Sequence, residues 1–140
     1  MAADQPTADL RVVVAYLDDV ELDLDAATRL AVDPPNRLAA FHLQQAAEKL
    51  VKAVRLHRGL RLTTEHNIEV LVAELPGDDG WREKLTALEP LSGYATSFRY
   101  PSPMGKRKIG PGNDEVLAWI KTIAALSAEV RVLVGATRAR

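Results

Sequence analysis

Three polar side chains, His42, Gln45 and Lys49, recur at i, i+3 and i+7 within the stretch Asn36 to Gly59, and Glu48, Lys52 and Arg55 form a second row beside them. On a helix, such spacings put each row on one face. Further along the chain come Arg99, Tyr100 and a basic run of Lys106, Arg107 and Lys108. Ammonium and guanidinium groups in these numbers suit the binding of phosphate. Lys49, with Gln45 beside it, Lys52, Arg55, Arg99 and the basic run can gather around a phosphate-bearing ligand, while Tyr94, Phe98 or Tyr100 stacks on a base. The same residues also have a structural use, because Gln45, Glu48, Lys49 and Arg99 can form a hydrogen-bonded polar seal between two helices. Both uses remain open on spacing alone.

Other chemistries are excluded or disfavoured. The chain has no cysteine, which removes thiolate nucleophiles, disulfides and sulfur-ligated zinc. Asp18, Asp19, Glu21, Asp23 and Asp25 lie close together, but helical spacing distributes them around the circumference, so they read as a solvated face and not as a metal site. Neither a glycine-rich phosphate loop nor a metal triad is present, so a stand-alone nucleotidyltransferase is not supported and no cofactor is called for. His66 follows Thr64 at a helix start and reads as a local hydrogen-bonding residue. The 18 basic and 19 acidic side chains nearly cancel, so attraction to nucleic acid or to an anionic membrane must come from a local patch. No apolar run is long enough to cross a bilayer and the first residues lack the pattern of a signal peptide, which makes the cytoplasm the default expectation.

The elements that would position these residues are helices. Asn36 to Gly59 is the longest run of good helix formers, with prolines before it, Asn36 as cap and Gly59 as the left-handed terminator. Its core side is Ala39, Leu43, Ala46, Ala47, Leu50, Ala53 and Val54. An earlier helix is expected from Pro6 or Thr7 to about Val32, and a short one from a Thr63 or Thr64 cap to Leu75. A fourth starts near Trp81 and should break near Thr86 to Glu89 because of Pro90. The loop Tyr100 to Gly112, rich in proline and glycine, should be mobile. The last helix, from an Asn113 or Asp114 cap to about Val134, carries more apolar surface than one core face needs. Val116, Ile120, Ile123, Val130 and Val134 can close the core, leaving Trp119, Leu126 and Leu133 for a two-fold contact between copies. An all-α, up-and-down antiparallel bundle of four to five helices is expected, as a single domain over residues 1–140 with its core at about 8–134.

The blocks AFHLQQAAEKLVKAVRLHRG, TTEHNIEVLVAEL and YATSFRYP, in that order, resemble the HEPN domain family, small all-helical proteins of prokaryotic toxin–antitoxin and defence systems. The resemblance implies a dimer and a companion protein, commonly a minimal nucleotidyltransferase encoded alongside. It also implies a ribonuclease motif, an arginine followed four to six residues later by a histidine near a helix end. There a neutral imidazole deprotonates the ribose 2′-hydroxyl and a guanidinium stabilises the attacked phosphate. This sequence departs from that pattern. No histidine follows His66, so Arg99 has no such partner, and the match at Arg61 to His66 spans a connection between helices. The expectation is therefore a binding or regulatory protein for a nucleotide, an RNA phosphate or the companion. The alternative is a metal-independent RNA-cleaving toxin whose site combines His42 with Arg99.

Overall fold

The computed structural model describes residues 9–94, 103–105 and 110–135. Five α-helices lie within them: α1 (Leu10–Leu30), α2 (Leu38–His57), α3 (Ile68–Ala73), α4 (Gly80–Thr86) and α5 (Asn113–Val134). A 3-10 turn at Glu89–Leu91 follows α4, the chain at 92–94 is helical, and no strand occurs among the described residues. Arg99, Tyr100, Lys106, Arg107 and Lys108 lie outside the described residues, as does most of the loop expected to be mobile.

Cross-helix pairs define the direction of each element. Asp23 of α1 meets His42 near the start of α2, while Asp19, one turn earlier, meets Lys49 further along α2, so these helices run antiparallel. At the beginning of α5, Asn113 donates to Asp33 just beyond the end of α1, and near its end Arg131 pairs with Asp18 and Glu21. α5 is therefore antiparallel to α1 as well. Between α2 and α5 the chain returns: Lys84 of α4 reaches Glu129, and Tyr94 donates to Glu115. The order is up, down, up, down. The core side expected of α2 is fully enclosed, from Ala39 and Leu43 to Ala53 and Val54, and packs against Val13, Leu17, Val20 and Leu24 of α1 and Ile123 and Val130 of α5.

Some predicted helix ends hold, but the expected Asn113 or Asp114 cap of the last helix does not: both lie inside its first turn, and Gly112, which has no side chain to cap with, precedes it. Asn36 Oδ1 accepts from the Leu38 amide at 2.9 Å, and Gly59 adopts φ +87° after the last turn of α2. The break after Thr86 occurs where Pro90 enters the 3-10 turn. The short helix differs. Asn67 is its cap, accepting from the amides of Glu69 and Val70, because Thr63 instead accepts from Glu65 and the Glu65 carboxylate accepts from the next two amides. α3 starts later than expected, and His66 precedes it instead of lying in its first turn.

Candidate functional site

α2 is the element around which the polar side chains gather. It is enclosed on most sides, and four of its charged or amide side chains, Gln44, Glu48, Lys52 and Arg55, are buried with its apolar ones. A buried polar atom must find a partner or lose the hydrogen bonds it made to water. The resulting pairings determine what this face can do.

The first cluster lies between α1 and α2. Asp23 accepts from His42 Nδ1 at 3.0 Å and from Lys49 Nζ at 2.8 Å, and Asp19 lies 3.4 Å from the same ammonium. Asp23 is buried, which corrects the expectation of a wholly solvated acidic face on α1: that helix turns Asp19 and Asp23 to α2, and Asp18 and Glu21 bind Arg131 of α5. With Nδ1 donating to a carboxylate, neutral His42 keeps Nε2 as its proton acceptor. Burial alone would lower the Lys49 pKa, but the Asp23 hydrogen bond and the charges of Asp23 and Asp19 outweigh it and raise the value, so the amine stays cationic. A shallow cleft of about 270 Å³ opens beside it, lined by Ala15, Tyr16, Asp19 and Lys49.

The second cluster is centred on Glu48. Its carboxylate accepts from Gln44 at 2.9 Å, Lys52 at 3.0 Å and His66 Nδ1 at 2.8 Å, and Gln44 accepts in turn from Gln45. Burial would raise the Glu48 pKa, but the hydrogen bonds from His66, Lys52 and Gln44 bring it below its ordinary value. Glu48 is thus held as an anion deep in the fold, while the His66 ring it orients is 74% exposed. Arg55 is committed elsewhere, its guanidinium donating to the Leu71 carbonyl at 2.9 Å and to Glu74 at 2.6 Å, which ties α2 to α3.

Of the residues singled out from sequence, the structure brings His42 and Lys49 together on one carboxylate, joins Gln45 to Lys52 through Gln44 and Glu48, and turns Arg55 into the fold. Sequence reasoning missed Tyr16, assigned Asp19 and Asp23 to a solvated face, and did not anticipate the support that Glu48 gives His66. A signal for the first three was present. Tyr16, Asp19 and Asp23 have the same i, i+3, i+7 spacing as His42, Gln45 and Lys49, as two antiparallel helices need in order to pair polar rows. Among the described residues no group of acidic or histidine side chains is arranged to hold a metal ion, and no helix is long and apolar enough to cross a membrane.

The family model for the HEPN domain matches residues 13–133, from the first buried turn of α1 to the last turn of α5. No curated protein and no solved structure shows significant similarity to the chain.

Proposed function

This chain belongs to the HEPN family, and from that premise we propose that it is a binding and regulatory member that does not cut RNA. Its ligand is a nucleotide or RNA phosphate, a companion minimal nucleotidyltransferase, or both. The observation that carries this reading is the lack of any histidine after His66, which leaves Arg99 without the family's base four to six residues downstream. The family's tendency to dimerise, and the apolar excess on α5, add a homodimer to the proposal.

Phosphate binding has a point of entry at the cleft beside Lys49. Asp19 is the longer and more exposed of its two carboxylate partners, at 3.4 Å and 54% exposure, and is the one a phosphate oxygen would displace. Tyr16 lines the same cleft and offers a ring for stacking. The basic run at Lys106, Arg107 and Lys108 supplies the rest of the charge. Binding of a labelled RNA, titrated at several salt concentrations, tests this. Replacing all three basic residues by alanine should lower affinity and flatten the salt dependence, and Lys49→Ala should weaken binding further. RNA and nucleotide binding that is absent at low salt, or indifferent to all four cations, would remove the phosphate ligand from the proposal.

One observation favours the other reading, an RNA-cleaving toxin built on His42 and Arg99. Asp23 orients His42 with Nε2 as proton acceptor, as a general base for a 2′-hydroxyl requires. The two readings separate on RNA integrity, since a composite site loses all cleavage in both His42→Ala and Arg99→Ala.

A further inference from the structure

The chain builds one arrangement twice. His42 Nδ1 and Lys49 Nζ share the carboxylate of Asp23, and His66 Nδ1 and Lys52 Nζ share the carboxylate of Glu48. The two differ in exposure. The His42 side chain is 31% exposed and lies in the α1–α2 seam, whereas His66 precedes α3 and presents 74% of its side chain to solvent. The groups behind His66 are the reverse, since the Glu48 and Lys52 side chains are only 7% and 10% exposed. A buried ion pair thus supports an imidazole that faces outward. The Lys49 cleft and the basic run leave this group unused.

What the ring can do follows from which nitrogen is taken. An anionic carboxylate accepts only from a protonated nitrogen, so the 2.8 Å bond from Nδ1 to Glu48 Oε2 leaves the lone pair on Nε2. Glu48 stays an anion because Gln44, Lys52 and His66 all donate to it. A carboxylate in that position fixes the tautomer, orients the ring and stabilises the imidazolium that forms when Nε2 makes a new bond. Lys52 Nζ binds the same Oε2 at 3.0 Å, which puts an ammonium beside the ring. The neighbouring acid is occupied: Glu65 accepts from the amides of His66 and Asn67 at 3.2 and 2.9 Å. A ring this exposed neither shields a substrate from water nor holds it in one pose, as a general base in a pocket does. It is open instead to a donor that arrives from outside.

We propose that His66 is a phosphoryl acceptor: its Nε2 takes a phosphoryl group from an activated phosphoryl donor, with Glu48 as positioning residue and Lys52 as the charge that offsets the added phosphate. The Nε2 lone pair forms the nitrogen–phosphorus bond as the bond from phosphorus to the leaving group breaks. With phosphoramidate as donor, that group departs as ammonia. The Nδ1 proton stays in the hydrogen bond to Glu48, so the neutral ring becomes a phosphorylated imidazolium paired with a carboxylate. This inference is independent of the binding reading, because it concerns a covalent bond at His66 and not a ligand at Lys49.

Treatment of the whole chain with phosphoramidate tests it. Phosphorus NMR in alkali, which preserves phosphohistidine, separates the Nδ1 from the Nε2 isomer, and peptide mass spectrometry assigns the residue. The urea-unfolded chain supplies the rate of unsupported histidines. In the folded chain His66 should be the main labelled residue, at Nε2, ahead of the partly buried His42 and His57, and should react faster than in the unfolded chain. Glu48→Gln should slow its labelling about ten- to a hundredfold, the usual worth of a carboxylate behind a histidine. His66→Gln, at an exposed position, should keep the helical circular dichroism and lose the label. Equal labelling of the three histidines, Nδ1 as the main site on His66, a rate no higher than in the unfolded chain, or an undiminished rate in Glu48→Gln overturns the proposal. The comparison of folded with unfolded wild type decides the matter even if Glu48→Gln does not fold.

Discussion

Asp23 is the side chain on which the α1–α2 seam depends. It is largely buried and holds an imidazole and an ammonium at once, so its removal takes the acceptor from His42 and leaves Lys49 only the longer contact to Asp19. Asp23→Ala should therefore destabilise the chain by about 2–4 kcal/mol in urea unfolding. A loss comparable to that of an exposed charge, such as Asp25→Ala, would contradict the seam. Glu48 makes a second prediction, through pH. Its folded pKa lies below its ordinary value of 4.5, so its contribution to stability is fully present above that pH and is lost as pH falls through the depressed value. Glu48→Gln should flatten the acid limb of the stability curve and leave its shape near neutrality unchanged. An acid limb as steep in the variant as in the wild type would show that other carboxylates control it. Neither residue's role was legible in isolation. Asp23 sits in a run of acids that reads as solvated until a second helix is known to lie against it, and His66 gave no sign that Glu48, eighteen positions away, would orient its ring.

At the scale of elements, the sequence was most legible where local chemistry decides the outcome. Apolar spacing in α2 identified residues that are all enclosed in the core. Gly59 marked the end of α2, since the left-handed backbone there costs any other residue about 1–2 kcal/mol. The start of α3 was misplaced because Thr63, Thr64 and Asn67 can all cap a helix, and the choice was made by Glu65, whose carboxylate occupies the preceding amides. Two glycines give a graded test. Both have positive φ, but a methyl at Gly59 meets nothing within 4 Å, whereas one at Gly110 lies 2.7 Å from the Arg37 Cα, where the chain entering α5 rests on the start of α2. Gly59→Ala should cost about 1 kcal/mol and Gly110→Ala distinctly more, because backbone cannot move aside as a flexible side chain does. Equal losses in thermal unfolding would mean that this contact does not hold the two elements together.

The whole molecule is an up-and-down bundle of the HEPN family in which the central helix is enclosed on nearly all sides. That enclosure explains why the function was harder to read than the fold. Cations that look available for phosphate along α2 are drawn into the fold's own pairs: Lys49 by Asp23, Lys52 by Glu48 and Arg55 by Glu74. The proposed ligand is left the cleft beside Lys49 and, in the sequence, the basic run Lys106 to Lys108, and no histidine follows Arg99. The central claim is that this protein binds without cutting. The most direct measurement is the integrity of a mixed RNA substrate, followed over time on a denaturing gel in the presence of a metal chelator, with the protein at concentrations where it binds. The account predicts RNA as intact as in a protein-free control. Cleavage that is abolished in both His42→Ala and Arg99→Ala would contradict it and would make His42, oriented by Asp23, the base of a working ribonuclease.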